Sequence, residues 1–425
     1  MKLLCAADLH LGRQPSRLPD DLGGLAEHLT PAESWRRLVR LAIDEGVAAV
    51  LLAGDVVEDA YDFFEAYSDL RRGAEELADA GIALLTVAGN HDVEVLPRLA
   101  EAVPTVKLLG EGGRWDRLTL EADGVAVNVV GWSWPAPQVS GSPLQGLADA
   151  IAGLPPVATL GLLHCDLDQP RSPYAAVSRA DLAAAPIDAW LLGHVHKPSF
   201  ACDASGRWCG YLGSAFGADP GEQGPRGAWL IEVGGEALDV EFVPLSPLLF
   251  DTVEVDVSAA AAPSDVSALI AEELSAHGER LSGLGEGGPL AVGVRLRLVG
   301  RHAHRNELQA HLGREDPREA PLSFGGARYF VHDVSFEVYP RIDLAAVAAT
   351  DGPRALMARR LLLLDGPPGE ERDRLIARAR ERLLETAGLS GYRDLDPPDL
   401  NDDAVAAVLR RAATRLLAEM MEGAP

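Results

Sequence analysis

Along the first 245 residues, short unbroken apolar runs end abruptly in polar residues. KLLCAAD (2–8), VAAVLLAGD (47–55) and IALLTVAGNHD (82–92) are of this kind. Continuous rather than alternating apolarity suits a strand buried on both faces, as in a parallel sheet. Helical periodicity fills the intervals. Thr30, with Glu33 three residues on, predicts an N-cap and capping box for a helix over 31–45. A second helix over about 62–80 stops at Gly81, a residue suited to a helix C-terminus. The β-α-β-α-β order predicts an α/β domain with parallel strands.

From Val106 the rhythm changes. RLTLEADGVAVNVVGW reads as two strands joined at Asp123-Gly124, a hairpin signal. VATLGLLHCD (157–166) and DAWLLGHVH (188–196) are again buried strands ending in polar residues, and hairpin-like segments continue to about Pro244. So many strands predict two packed sheets with helices outside. Near residue 250 a small α+β unit begins: DTVEVDVS, a helix in PSDVSALIAEELSAHGERL with Ser264 as its N-cap, LAVGVRLRLVG (290–300), HRNELQAHLG and ARYFVHDVSFEVYP (327–340), with GLGEGG (283–288) as a loop. Beyond 343 the pattern is helical, with breaks at Gly366-Pro367-Pro368, Gly388–Gly391 and Pro397-Pro398. The expected division is 1–245, 250–342 and 343–425.

Composition narrows this picture. The 425 residues are 47% hydrophobic, enough for two or three domains with real cores. No apolar run reaches about 18 residues, so no ordinary membrane span is expected. The opening MKLLCAADLHLG is interrupted by Asp8 and His10 and does not read as a secretory signal, so a cytoplasmic location is expected. Four cysteines read as reduced thiols: Cys5 and Cys165 in the core, Cys202 and Cys209 facing across a turn-like DASGRW but two ligands short of a zinc site. The net charge of −26 removes any electrostatic hint of nucleic acid or anionic membrane. A polyanionic substrate would have to be held by bound metal, local arginines or a partner.

The chemistry gathers at strand ends. Asp8-Leu9-His10, Gly54-Asp55, Gly89-Asn90-His91-Asp92, His164 and Gly193-His194-Val195-His196 each close a predicted strand, where ligand sites form in open α/β sheets. Of six histidines in residues 1–250, only His28 falls outside these motifs. Imidazole and carboxylate donors suit manganese, iron(II) or zinc. On extended backbone, the two-residue spacing of Asp8 with His10 and of His194 with His196 places each pair on one side. Singly, Asp8 or Asp55 reads as a helix N-cap, Gly89-Asn90 as a turn and His164 as a core histidine. Together the donors exceed the need of one ion and suit two bridged by a carboxylate.

The ordered set DLH … GD … GNHD … H … GHVH resembles the calcineurin-like metallophosphoesterase superfamily over residues 1 to about 245. The opening ADLHLGR (7–13) is similar to its SbcD and YhaO branch, nuclease subunits of bacterial double-strand-break repair complexes. The resemblance implies a four-layer α/β/β/α sandwich, a capping domain after residue 250, two divalent ions (usually manganese), a homodimer, and an SMC-like coiled-coil ATPase partner. It assigns Asp8, His10 and His196 to one ion, Asn90, His164 and His194 to the other, and Asp55 to the bridge. His91 would be the unliganded histidine beside the scissile phosphate, protonating the leaving oxygen, with Asp92 supporting the site from behind. Glu58 stands where many relatives have a second aspartate.

The implied activity is DNA phosphodiester hydrolysis, exo- or endonucleolytic. The same metal motifs would equally serve a phosphatase or small-molecule phosphodiesterase, a reading that the acidic charge favours. Both outrank a non-catalytic scaffold, because every ligand position is filled. Candidate phosphate contacts are Arg13, beside the first motif, and Arg295, Arg297, Arg301 and Arg305, with a solvated sheet face as the structural alternative. Tyr61, Phe63, Phe64 and Tyr67 read as partly core or as a dimer face, and the C-terminal helices could pack on the protein or receive a coiled-coil partner.

Overall fold

The computed structural model describes residues 1–59, 63–234, 237–284, 287–319, 322–387 and 400–422. Tyr61, the breaks at Gly388–Gly391 and Pro397-Pro398, and part of the GLGEGG loop lie outside the described residues. The chain forms two compact units. One is Met1–Val253 with Leu274–Leu296 and Arg318–Asp333; the other is Glu254–Glu273 with Arg297–Pro317 and Val334–Pro425.

The strands of the first 245 residues are β1 (Lys2–Ala6), β2 (Ala49–Leu52), β3 (Ala83–Thr86), β4 (Val106–Leu108), β5 (Trp115–Ala122), β6 (Val125–Trp132), β7 (Thr159–His164), β8 (Ala189–Gly193), β9 (Ala201–Cys202), β10 (Trp208–Tyr211), β11 (Gly227–Glu232) and β12 (Asp239–Pro244). The helices are α1 (Pro31–Asp44), α2 (Phe63–Asp79), α3 (Leu96–Ala102), α4 (Leu147–Ile151) and α5 (Arg179–Ala184). Two six-stranded sheets result, ordered β12-β11-β1-β2-β3-β4 and β5-β6-β7-β8-β10-β9. β1 to β4 pair in parallel, as do β6, β7, β8 and β10.

Alternation along each strand builds the layers. Leu3, Cys5, Leu51 and Leu85 of the first sheet meet Val129, Leu162 and Leu191 of the second. Their neighbours Leu4, Val50 and Leu84 turn the other way, onto Trp35 and Leu38 of α1 and Leu70 of α2. On the far side, Val130, Leu163 and Leu192 pack with Leu147 of α4 and Leu182 of α5. The unbroken apolar runs follow from this, because both faces of each central strand are covered. The architecture is the α/β/β/α sandwich that the resemblance implied.

Local signals are largely honoured. Thr30 Oγ1 accepts from Glu33 N at 3.3 Å, but the Glu33 carboxylate turns to Arg36 and Arg37 instead of completing a capping box. Asp123 and Gly124 both have positive φ (51° and 76°), the type I′ geometry that matches strand twist. The cysteine pair is corrected: Cys202 is paired with Trp208 and Cys209 with Ala201, so the two thiols lie one position out of register on opposite faces.

A third sheet, ordered β13-β14-β16-β15, contains β13 (Leu248–Asp256), β14 (Ala291–His302), β15 (Leu322–Phe324) and β16 (Ala327–Pro340). It is accompanied by α6 (Asp265–Ser282) and α7 (Arg305–Leu312). The helices α8 (Leu344–Ala348), α9 (Pro353–Asp365), α10 (Glu370–Ala387) and α11 (Asp402–Glu422) follow. Leu361, Leu364, Ile376, Val405 and Leu417 are the buried anchors of this helical part. Among the described residues, no helix is long and apolar enough to cross a membrane.

Leu51 is fully buried between the two large sheets. Leu51→Ala is expected to cost about 2–5 kcal/mol, read as a lower urea midpoint at unchanged slope.

Candidate metal centre

The chemistry-bearing residues sit where parallel strands end. Asp8 and His10 follow β1, Asp55 follows β2, and Asn90, His91 and Asp92 follow β3. His164 is the last residue of β7, and His194 and His196 follow β8. The expected strand-like alternation is not what aims them. Asp8, His10, Asp55 and His194 have φ of 50°, 49°, 49° and 102°. Left-handed backbone at a non-glycine residue costs about 1–3 kcal/mol and persists only when neighbours impose it. Here they do. His194 N donates to both Asp8 oxygens at 3.0 and 3.2 Å, and His91 N to Asp55 Oδ1 at 3.0 Å. Buried Asp92 accepts from Val56 N and Gly89 N at 2.7 and 2.8 Å, tying the second and third motifs together. It has no hydrogen bond with the His91 side chain.

Two glycines are dictated by close approach. A Cβ on Gly193 would stand 2.1 Å from Ala53 O and 2.7 Å from His164 Nδ1, and one on Gly89 would stand 2.2 Å from Asp55 Oδ1.

The donors fall into two groups around Asp55. His10 Nε2 and His196 Nε2 are 3.1 Å apart, and Asp8, His10 and His196 form one cluster able to hold an ion. His164 Nε2 and His194 Nδ1 lie 3.1 and 3.0 Å from Asn90 Oδ1. Asp55 Oδ2 lies 3.2 Å from His164 Nε2 and 4.0 Å from His10 Nε2, within reach of both groups.

The outward nitrogens show what this arrangement requires. His164 Nδ1–H donates to Ala53 O at 3.0 Å, an atom that can only accept. His196 Nδ1 meets Glu222 Oε1 at 2.5 Å, and His194 Nε2 lies 3.3 Å from Asp166 Oδ1. His10 Nδ1 lies 2.7 Å from Glu58 Oε2, a close ionic contact off the hydrogen-bonding direction. In the neutral rings that metal ligation requires, each outer nitrogen would hold the proton and each inner nitrogen would be a bare acceptor. Such acceptors 3.1 Å apart, beside two carboxylates and an amide oxygen, repel unless cations lie among them. The residues fit a pair of divalent ions.

Without metal, protons offset part of this negative charge. Burial opposes charging His164, but Asp55 and then Asp8 outweigh it and push the imidazole up to about 9. Burial also opposes ionising Asp55, yet His164, with His10 and His91, holds its carboxyl well below the usual range. Burial and the Asp55 charge push Asp92 up to about 7.

The family model described as calcineurin-like phosphoesterase matches residues 1–198. The chain carries a calcineurin-like phosphoesterase domain. It is 28% identical over 276 residues to the uncharacterized metallophosphoesterase YhaO of Bacillus subtilis, covering 60% of this chain and 63% of that protein. It is 30% identical over 270 residues to the DNA double-strand break repair protein Mre11 of Haloferax volcanii, covering 60% and 55%. With Mre11 of Halobacterium salinarum the identity is 29% over 290 residues, covering 64% and 66%. The chain thus matches 55–66% of the length of these curated relatives.

Around the centre, sequence reasoning missed Asp166, Glu222 and Arg226. Glu222 braces His196, takes Ala218 N at 2.7 Å and has Arg13 Nη2 at 3.7 Å. Burial opposes its ionisation, but His196 holds it down at about 2. Buried Arg226 donates to the carbonyls of His196, Glu222 and Gln223. Only Asp166, two residues after His164 in sequence, carried a local signal.

The proposed phosphate-contact arginines are placed differently from one another. Arg13 lies beside the centre. Arg295 is paired with Asp333 at 3.1 Å, and Arg297 with Glu254 and Glu337 at 3.2 Å each. Arg305 donates to Val338 O and lies over the Phe336 ring. Arg301 has Thr414 Oγ1 at 3.4 Å. Arg297, Arg301 and Arg305 belong to the second unit. On α2, Phe64 is 84% exposed and Tyr67 packs partly on the core, while the Phe63 side chain lies outside what is described.

Partners behind a ligand typically carry about 10–100-fold of metal affinity. Glu222→Ala is expected to lose that much affinity for manganese in a calorimetric titration, and to lower the urea stability of the metal-free protein by about 1–3 kcal/mol at neutral pH, because His196 and the Ala218 amide lose their acceptor.

Proposed function

We propose that this chain is a DNA nuclease dependent on two divalent ions, manganese by preference, acting as a homodimer beside an SMC-like coiled-coil ATPase in the cytoplasm. The observation that carries the hydrolytic part is the ring of inward acceptors around Asp55 with His91, outside both ligand groups, at its rim. DNA as substrate is supported by the likeness to the two Mre11 proteins.

In this reading Asp8, His10 and His196 hold one ion, Asn90, His164 and His194 the other, and Asp55 reaches both. Bound there, the ions supply the Lewis acidity that polarises a phosphoryl group and lowers the pKa of an attacking water. The chain's own residues do the rest. His91 is exposed, with its ring centroid 5.1 Å from that of His10. Its Nδ1–H donates to Glu58 O at 3.0 Å. That orients the ring and leaves Nε2 as the atom able to carry a proton to the leaving sugar oxygen. Asp92 holds the loops of Asp55 and Asn90 in register without touching substrate. Arg13, kept near the rim by Glu222, is the candidate phosphate contact of this domain.

A second reading, a phosphatase or small-molecule phosphodiesterase, is favoured by one observation. Arg295 and Arg297, which would contact DNA, are neutralised by carboxylates of β16 and β13. Release of label from a 3′-labelled duplex and from single-stranded DNA, with manganese and with chelator, tests the first reading against hydrolysis of phosphomonoesters. Cleavage of phosphomonoesters without any DNA degradation would replace the nuclease reading with the second.

His91→Ala is expected to bind metal normally and lose about 10²–10⁴ in cleavage rate; loss of metal instead would remove its assigned role. Asp55→Ala is expected to lose both ions by elemental analysis, and two retained ions would contradict the bridge.

A further inference from the structure

The second unit contains a cavity of about 310 Å³ lined by residues of β13, β14, β16 and α11. Four arginines reach it, and two are already neutralised. Arg297 pairs with Glu254 and Glu337, and Arg410 with Asp365 at 2.7 Å. Arg301 and Arg411 have no carboxylate partner among the described residues, although the chain holds 64 acidic residues against 38 basic ones. Arg301 is presented from an anchored strand, its N donating to Ser258 Oγ at 2.9 Å and its Nη2 to Thr414 Oγ1. Arg411 and Thr414, three residues apart on α11, share one helix face. The Tyr339 phenol lines the same cavity.

We propose that this cavity binds a phosphate group, held by the Arg301 and Arg411 guanidinium forks with Thr414 and Tyr339 as hydroxyl donors. Planar guanidinium groups match phosphate oxygens in pairs, and a cavity wall fixes their direction. The phosphate can belong to a nucleic-acid backbone or to a free anion. The inference is independent of the metal centre and of the nuclease reading, since it concerns binding alone.

The test uses the full chain in chelator, so that nothing is cleaved. Anisotropy with a fluorescein-labelled single-stranded oligonucleotide reports backbone binding, and thermal shift with pyrophosphate or inorganic phosphate reports free anions. Arg301→Ala and Arg411→Ala are each expected to weaken at least one probe about tenfold, while the lysine variants retain part of it. Weaker DNA binding, with a salt slope shallower by about one, identifies the backbone as the source. Loss confined to pyrophosphate or phosphate identifies a free anion. Exposed Arg411 keeps the test decisive if Arg301→Ala misfolds. Wild-type affinity for all three probes in folded Arg411→Ala overturns the proposal.

Discussion

Everything in the phosphoesterase domain turns on acceptors forced together. The inner nitrogens of His10, His196, His164 and His194, the Asn90 amide oxygen and the carboxylates of Asp8 and Asp55 meet in one cleft, most of them buried. Repulsion among such atoms is weakly screened away from water. The fold tolerates it by fixing each group from behind: three carboxylates and one carbonyl on the outer imidazole nitrogens, backbone amides on Asp8, Asp55 and Asp92. Cations relieve the repulsion, so metal affinity and folding stability are linked by mass action.

The same constraint explains the backbone. Donors from two sheets must reach one point beyond the strand ends, and an extended chain would carry alternate residues past it. Left-handed turns at Asp8, His10, Asp55 and His194 bend each motif back toward the centre. Gly89 and Gly193 then allow neighbouring loops to touch where a side chain would collide.

These features differ in how far the sequence reveals them. The strands were legible because both faces of β1, β2, β3, β7 and β8 are buried, which leaves unbroken apolar runs. The ligands were legible because histidine is scarce and its positions coincide with strand ends. The turns that aim them were not, since αL backbone at aspartate or histidine leaves no periodic trace. Glu58 was noticed only as a departure from relatives. Glu222 was invisible as one acid among 64, made significant by a fold that returns it to His196. The Cys202–Cys209 reading failed by one residue, because register depends on the turn and one step reverses the face. Arg295 and Arg297 lack nearby acids in sequence, but β16 brings Asp333 and Glu337 from 38 and 40 residues away.

These pairings give the acidic charge a meaning. Much of the carboxylate is committed: Glu58, Asp166 and Glu222 brace histidines of the centre, and Asp333 and Glu337 of β16 quench arginines of β14. The protein therefore offers little field of its own to draw in a polyanion, and long-range steering of the kind a basic surface provides is absent. Attraction to a phosphate ester would have to come from short range, through ions held among the inward acceptors and through the few guanidinium groups left unpaired. At the centre itself, affinity for a phosphate ester would follow metal occupancy. A net charge of −26 is thus compatible with phosphate chemistry, at the cost of making that chemistry conditional on a loaded centre.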